Sequence, residues 1–278
     1  MAHIKELTDY LAEMPESRPA STGFEALDRM GVRFAPGKLY VIGGRPGMGK
    51  SSLMLDLALH AALGELIPVH IISLSESAEE LAWRLISRER GIPRHRIEQD
   101  ASVRKNAAEI SRATFGRLPL FIYDRIRTAP EIIDTILHEK MSGLVFIDDL
   151  QLVAAATGKY IDGRHVCTDH PELREQNALC DLFQETAQDT NTAIVILSQV
   201  SRKIEHRRDK RPKLGDIEYA PYLETAASAV LFLYRDAYYH PKTPTENPEP
   251  AEIIVAKNTG GSTGTATISF DNERLSFG

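Results

Sequence analysis

Three short stretches carry residue types suited to phosphate chemistry. From Val41 to Leu53 the chain reads VIGGRPGMGKSSL, and Gly44 to Ser51 has the spacing G-x-x-x-x-G-K-S of a phosphate-binding loop. Gly44, Gly47 and Gly49 are expected to turn the backbone with positive φ and bring successive N–H groups onto an anion. Arg45, Pro46 and Met48 fill the loop between them. Lys50 offers a mobile charge to β- and γ-phosphates, the Ser51 hydroxyl can ligate Mg²⁺, and Ser52 continues into the following helix. A nucleoside triphosphate with Mg²⁺ is the implied ligand.

The second stretch, Gly143-Leu-Val-Phe-Ile-Asp148-Asp149, is an apolar run ending in acids. It puts the Asp148 carboxylate at the C-terminal edge of a central strand, where a Mg²⁺-linked carboxylate is needed; Asp149 is expected on the other side of the pleat. The third, Ile194 to Gln199, is a buried strand ending in a glutamine able to sense a γ-phosphate. Directly after it, residues 201–213 read SRKIEHRRDKRPK, in which only Glu205 and Asp209 oppose the cations. Such a run is often just a solvated loop. Its place after a phosphate-sensing strand favours contact with a polyanion. His165, Cys167 and His170 could donate to zinc with Cys180, but their spacing matches no common structural site, and a surface loop is expected there.

The elements that must hold these residues follow a βα rhythm. Strands are expected at 39–42, 69–74, 118–123, 144–147 and 193–197, with helices at 51–63, 79–90, 130–140 and 173–188. This predicts a mostly parallel sheet covered by helices on both faces. Strands at 229–234, 252–257 and 265–270, with turn-rich links such as Gly260–Gly264, predict antiparallel pairing at one edge. The phosphate loop then lies between a strand and a helix N-terminus.

A chain of 278 residues with 42% hydrophobic content suffices for one substantial core. It has no apolar run long enough to span a membrane, and its start, MAHIKELTDY, is no signal peptide. Two cysteines make no disulfide framework, so a reduced cytoplasm is the expected compartment. A net charge of −6 argues against a protein coated in nucleic acid, though not against a local basic channel. Ile4, Leu7, Leu11 and Met14 fall on one helical stripe, ended by Pro15 and Pro19. Residues 1–17 therefore read as a tethered amphipathic helix preceding one domain at 18–278. Its stripe packs either on its own domain or on a neighbouring subunit.

The succession TGFEALDRMGVRFAPGKLYVIGGRPGMGKSS, FIDDLQL, ILSQVSRKIEHRRDKRP, LFLYRD and AEIIVAKNTGGSTGTATISF resembles the motor domain of DnaB-type replicative DNA helicases. The resemblance runs from about Ser21 almost to the end and implies a RecA-like phosphate-loop ATPase. It also implies a hexameric ring, single-stranded DNA as the track, and a replicative helicase, loader or primase among its partners. Residues 1–17 sit where the family has its linker helix, and no counterpart of its helical collar is expected here.

Position by position there are departures. The family's catalytic glutamate falls on Ser75, with Glu76 one place later, and a one-residue shift turns a side chain to the opposite face. Asp149 stands where the family usually has tyrosine. Many other phosphate-loop ATPases place their water-polarising acid there, so Glu76 and Asp149 are both candidate bases. The family's Lys-x-Arg finger is Lys257 with Thr259 at the arginine position, leaving Arg235 as a possible compensating cation. In the DNA-gripping loop Glu218 replaces an arginine, so DNA contact falls to Arg202, Lys203, Arg207, Arg208, Lys210 and Arg211. Two readings of function follow: a ring translocase driven by MgATP, or a slow or non-catalytic relative acting as loader, inhibitor or assembly partner. A RecA-like recombination or circadian-type ATPase fits the late strands less well.

Deleting residues 1–17 is expected to shift the protein toward monomer in light scattering; an unchanged distribution would mean that the stripe packs on its own domain.

Overall fold

The computed structural model describes residues 18–153, 171–217, 220–241 and 247–278. Within them lie strands β1 (Leu39–Gly44), β2 (Val69–Ser73), β3 (Leu120–Tyr123), β4 (Leu144–Asp148), β5 (Ala193–Gln199), β6 (Ala229–Tyr234), β7 (Glu249–Asn258), β8 (Gly264–Asp271) and β9 (Ser276–Phe277). They form one sheet in the order β3-β2-β4-β5-β1-β6-β7-β8-β9. The first five pairings are parallel and the last three antiparallel, as the sequence predicts. β1, β2, β4 and β6 are buried at every residue, because helices cover both faces. Alternate residues feed two cores. Tyr40, Ile42, Phe146, Val195 and Leu197 enter one; Leu39, Val41, Val145, Ile147, Ile194 and Ile196 enter the other.

The helices are α1 (Glu25–Arg29), α2 (Lys50–Leu59), α3 (Ala78–Arg90), α4 (Arg94–Gln99), α5 (Ala101–Phe115), α6 (Ala129–His138), α7 (Pro171–Thr190), α8 (Ala220–Ala226) and α9 (Asp236–Tyr239). α2 ends earlier than expected, and residues 60–64 wind into a π-helical turn. α4 and α5 have no counterpart in the apolar pattern. α5 buries only Ala107 and Ser111, so its sequence lacks an apolar stripe, although Asp100 caps its first turn through the amides of Ser102 and Val103. Among the described residues no helix is long and apolar enough to cross a membrane. The helix expected at 4–14, the zinc-like residues His165, Cys167 and His170, and Glu218 all lie outside the described residues.

The strand order fixes the site. β1 is flanked by β5 and β6, with β4 beyond β5, so the C-terminal ends of β1, β4 and β5 open on one edge. Gly44 is in register with Gln199, and Ser73 at the end of β2 is in register with Asp148. Gly143 controls entry into β4: its φ is +79°, and a Cβ there would sit 2.2 Å from the carbonyl oxygen of Pro68. Gly143→Ala is therefore expected to cost at least about 2 kcal/mol, from left-handed strain plus a backbone clash. Chemical denaturation would show it as a lowered midpoint; an unchanged midpoint would contradict this reading of the turn.

Candidate nucleotide site and its link to the basic loop

The turn from β1 into α2 takes its shape from two glycines. Gly47 and Gly49 have φ of +81° and +99°. Gly44, expected to share that conformation, is not among the positive-φ glycines; what it provides is space, since a Cβ would lie 3.4 Å from Lys50 Cγ. Around Gly47 the fit is closer, because a Cβ there would lie 2.9 Å from the Tyr238 ring. Met48 is buried in the core beneath the loop, a packing role. Pro46 is exposed, whereas Arg45 is half-buried.

Lys50 is nearly buried, and its Nζ donates to the Gly44 carbonyl at 3.2 Å. Burial pushes its pKa down, while the Asp149 and Asp148 carboxylates pull it back up. Asp148 is 2% exposed and hydrogen-bonded with Ser51; burial, reinforced by Asp149 and Glu76, pushes its carboxyl up to about 6. Asp149, expected across the pleat, belongs to the same cluster: its Oδ2 accepts from Gln199 Nε2 at 3.1 Å. The backbone at Gln199 is itself held by Gln151, whose Oε1 accepts from the Gln199 main-chain N–H at 3.0 Å.

Asp148 Oδ2 and Asp149 Oδ1 are buried without a hydrogen-bond partner. Two orphaned carboxylate oxygens beside a hydroxyl and a lysine form the oxygen-rich donor set that a hard divalent cation takes. Ser51 and Asp148 therefore fit Mg²⁺. Among the described residues no cluster of histidine, cysteine, aspartate and glutamate forms a separate protein-only metal site.

Glu76 also lies near Asp148, but its carboxylate accepts from the Arg84 guanidinium through both oxygens. Arg84 further donates to Ser52 Oγ at 2.9 Å, so that hydroxyl is engaged within the chain. One turn further along α3, Arg88 Nε pairs with Asp56 at 2.8 Å, and Asp56 accepts the Phe277 amide at 2.8 Å. Burial pushes the Asp56 carboxyl up to about 6.

Arg235 leaves the end of β6 and braces the loop. Its Nη1 donates to the Gly47 carbonyl at 3.1 Å, its Nε to Glu249 at 2.5 Å and its Nη2 to Asn272 at 3.0 Å. Lys257 Nζ reaches the C-terminal carbonyls of α8, bonding Glu224 and, at 3.0 Å, Thr225. Thr259 is exposed at the start of the glycine-rich turn.

The basic run leaves β5 as a short 3-10 turn, Arg202–His206, pinned by buried Ile204. Arg202, Lys203 and Arg208 are exposed. Arg207 is tied to Asp216 at 2.6 Å, and Arg211 to Glu252 at 2.7 and 2.6 Å. Lys210 lies over the Tyr239 ring, 5.2 Å from its centroid. Three residues enter the site in roles not expected from the sequence: Arg84 as partner of Glu76, Gln151 behind Gln199, and Glu205, which accepts from Arg45 Nε at 2.8 Å. Gln151 stands in the stretch FIDDLQL and Glu205 in the basic run, whereas nothing in the sequence marks Arg84.

A phosphate loop at the head of a central parallel strand, with an acid and a glutamine on the next strands, defines a RecA-like ATPase fold. The model of the DnaB-like helicase C-terminal domain matches residues 20–278, and the chain belongs to that family. It is 32% identical to a probable replicative DNA helicase of Trieres chinensis, over 96% of this chain and 59% of the relative. To the replicative DNA helicase DnaC of Bacillus subtilis it is 30% identical, over 92% of this chain and 55% of the relative. The structure of a DnaB-like replicative helicase and its interactions with primase superposes with a TM-score of 0.81 at 25% identity, covering 97% of this chain and 66% of that one. The chain thus spans just over half the length of the curated relatives it matches.

Lys50→Ala is expected to abolish tight MgATP binding while leaving the unfolding temperature of the unliganded protein within a few degrees of wild type. Retained stabilisation by MgATP in a thermal-shift titration would contradict the site.

Proposed function

We propose that this chain is the motor domain of a ring-forming replicative helicase, which binds MgATP at Gly44–Ser52 and uses its hydrolysis to move along single-stranded DNA. The observation that carries this reading is the pair of orphaned oxygens on Asp148 and Asp149 beside Lys50. The backbone amides of Gly47 to Ser51 and the Lys50 ammonium hold the phosphates, and Ser51 and Asp148 hold Mg²⁺. When bound, the ion supplies charge neutralisation on the β- and γ-oxygens.

Of the two candidate bases, geometry favours Asp149. Gln199 fixes one of its oxygens and the other is unpartnered, so it can accept a proton from an attacking water, whereas both Glu76 oxygens are engaged by Arg84. Gln199, held by Gln151, is placed to exchange Asp149 for a γ-phosphate and to pass its loss to the turn at 202–206. The exposed Arg202, Lys203 and Arg208 are the first contacts for DNA phosphates. Arg207, Lys210 and Arg211, engaged within the chain, shape the loop and join DNA contact secondarily.

In a hexameric ring, with residues 1–17 as the linker helix between subunits, Lys257 faces the neighbour's nucleotide. Thr259 brings no charge there, and Arg235 is committed to Gly47. Hydrolysis should accordingly be slower than with an arginine finger, which is worth about 10³–10⁵ in rate. The likeness to a helicase solved with its interactions with primase supports a primase as partner.

With saturating single-stranded DNA, Asp149→Asn is expected to reduce turnover by about 10²-fold or more and Glu76→Gln by far less, while Thr259→Arg raises it. Turnover insensitive to Asp149→Asn, or a larger loss from Glu76→Gln, would contradict the assignment of the base.

A further inference from the structure

The phosphate loop and the basic loop are joined by a side-chain bridge that neither motif requires. Arg45, the second residue of the phosphate loop, donates through Nε to Glu205 Oε1 at 2.8 Å and through Nη1 to the Val200 carbonyl at 3.1 Å. Glu205 lies in the turn 202–206 that carries exposed Arg202 and Lys203, and buried Ile204 between them pins that turn to the core. Tyr239 buttresses the basic side of that bridge: its hydroxyl donates to Glu205 at 3.3 Å, and its ring lies under Lys210 of the same loop. Arg45 is also within electrostatic reach of the phosphate position, since its charge disfavours that of Lys50.

We propose that the Arg45–Glu205 ion pair is the coupling element between the two loops, with Glu205 as the positioning residue. The inference rests on the reading of the basic loop as the DNA contact. A triphosphate on the loop competes with Glu205 for Arg45. A polyanion drawing Arg202 and Lys203 outward tilts the turn about its Ile204 anchor, shifts Glu205 and loosens the same pair. Each ligand therefore removes a restraint that opposes the other, and each tightens the other's binding. Linkage requires the two effects to be one factor.

The test uses the full chain with a non-hydrolysable ATP analogue plus Mg²⁺ and a labelled oligo-dT, each Kd being measured with and without the other ligand at fixed salt. In the wild type the two ratios are expected to agree and to reach about fivefold or more. Glu205→Gln, which keeps the shape and removes the charge, is expected to bring both ratios to near unity, whatever it does to either Kd alone. Arg202→Gln with Lys203→Gln, which removes the cations a polyanion would draw on, is expected to weaken DNA binding and to lower both ratios toward unity as well. A Glu205→Gln protein that keeps the wild-type ratio, or a wild type that binds both ligands independently, would overturn the coupling role and leave the DNA reading standing. A wild type that binds nucleotide but no oligo-dT would overturn that reading, and the coupling with it.

Discussion

The site depends on how one buried ammonium is balanced. Lys50 cannot be sunk beneath the phosphate loop without compensation, since an unpaired buried charge is heavily penalised. Two carboxylates on adjacent residues at the end of β4, Asp148 and Asp149, supply it. The dependence runs both ways. The Asp149 charge beside it opposes the ionisation of Asp148, and Lys50 is one of the groups that draw Asp148 back toward its charged form. With one cation for two carboxylates, and an unpartnered oxygen on each, the cluster remains short of positive charge and retains capacity for a divalent cation.

The fold exists in this form to keep that cluster narrow. β5 separates β1 from β4, so the loop after β1 and the acids after β4 face each other across one strand, and the polar end of that strand is Gln199. The loop is then held from outside the cluster. Arg235 fixes the Gly47 carbonyl, Arg45 reaches toward the basic turn, and the Phe277 ring packs 3.0 Å from where a Gly49 Cβ would stand. Arg88 and Asp56 anchor α2 on its far side. Such bracing holds the loop amides in place in advance, so that in the proposed reading little reorganisation is left for the moment of reaction.

Much of this was legible in the sequence, for physical reasons. Buried parallel strands are continuous apolar runs, and the phosphate loop has fixed glycine spacing, so the sheet, its antiparallel edge and residues 44–51 could be placed from residue types alone. Asp148 followed from the run before it. What escaped was the part that depends on side-chain direction. Asp149 was expected across the pleat and instead meets Gln199 within the cluster. Glu76 is a candidate base by sequence, yet Arg84, eight residues along, engages both of its oxygens. Arg207 and Arg211 counted as loop charge, but Asp216 and Glu252 neutralise them. Pairing across long separations leaves no periodic trace, and α5 went unseen because it buries almost nothing apolar.

The most direct test of the account is the steady-state MgATP hydrolysis rate of the unmodified chain, titrated with single-stranded DNA. The account predicts a low basal rate that rises saturably with DNA, with a stimulation that weakens as salt screens the exposed cations of the basic turn. Hydrolysis that is already fast without DNA and flat across the titration would contradict it, because phosphate loop and basic loop would then be working independently.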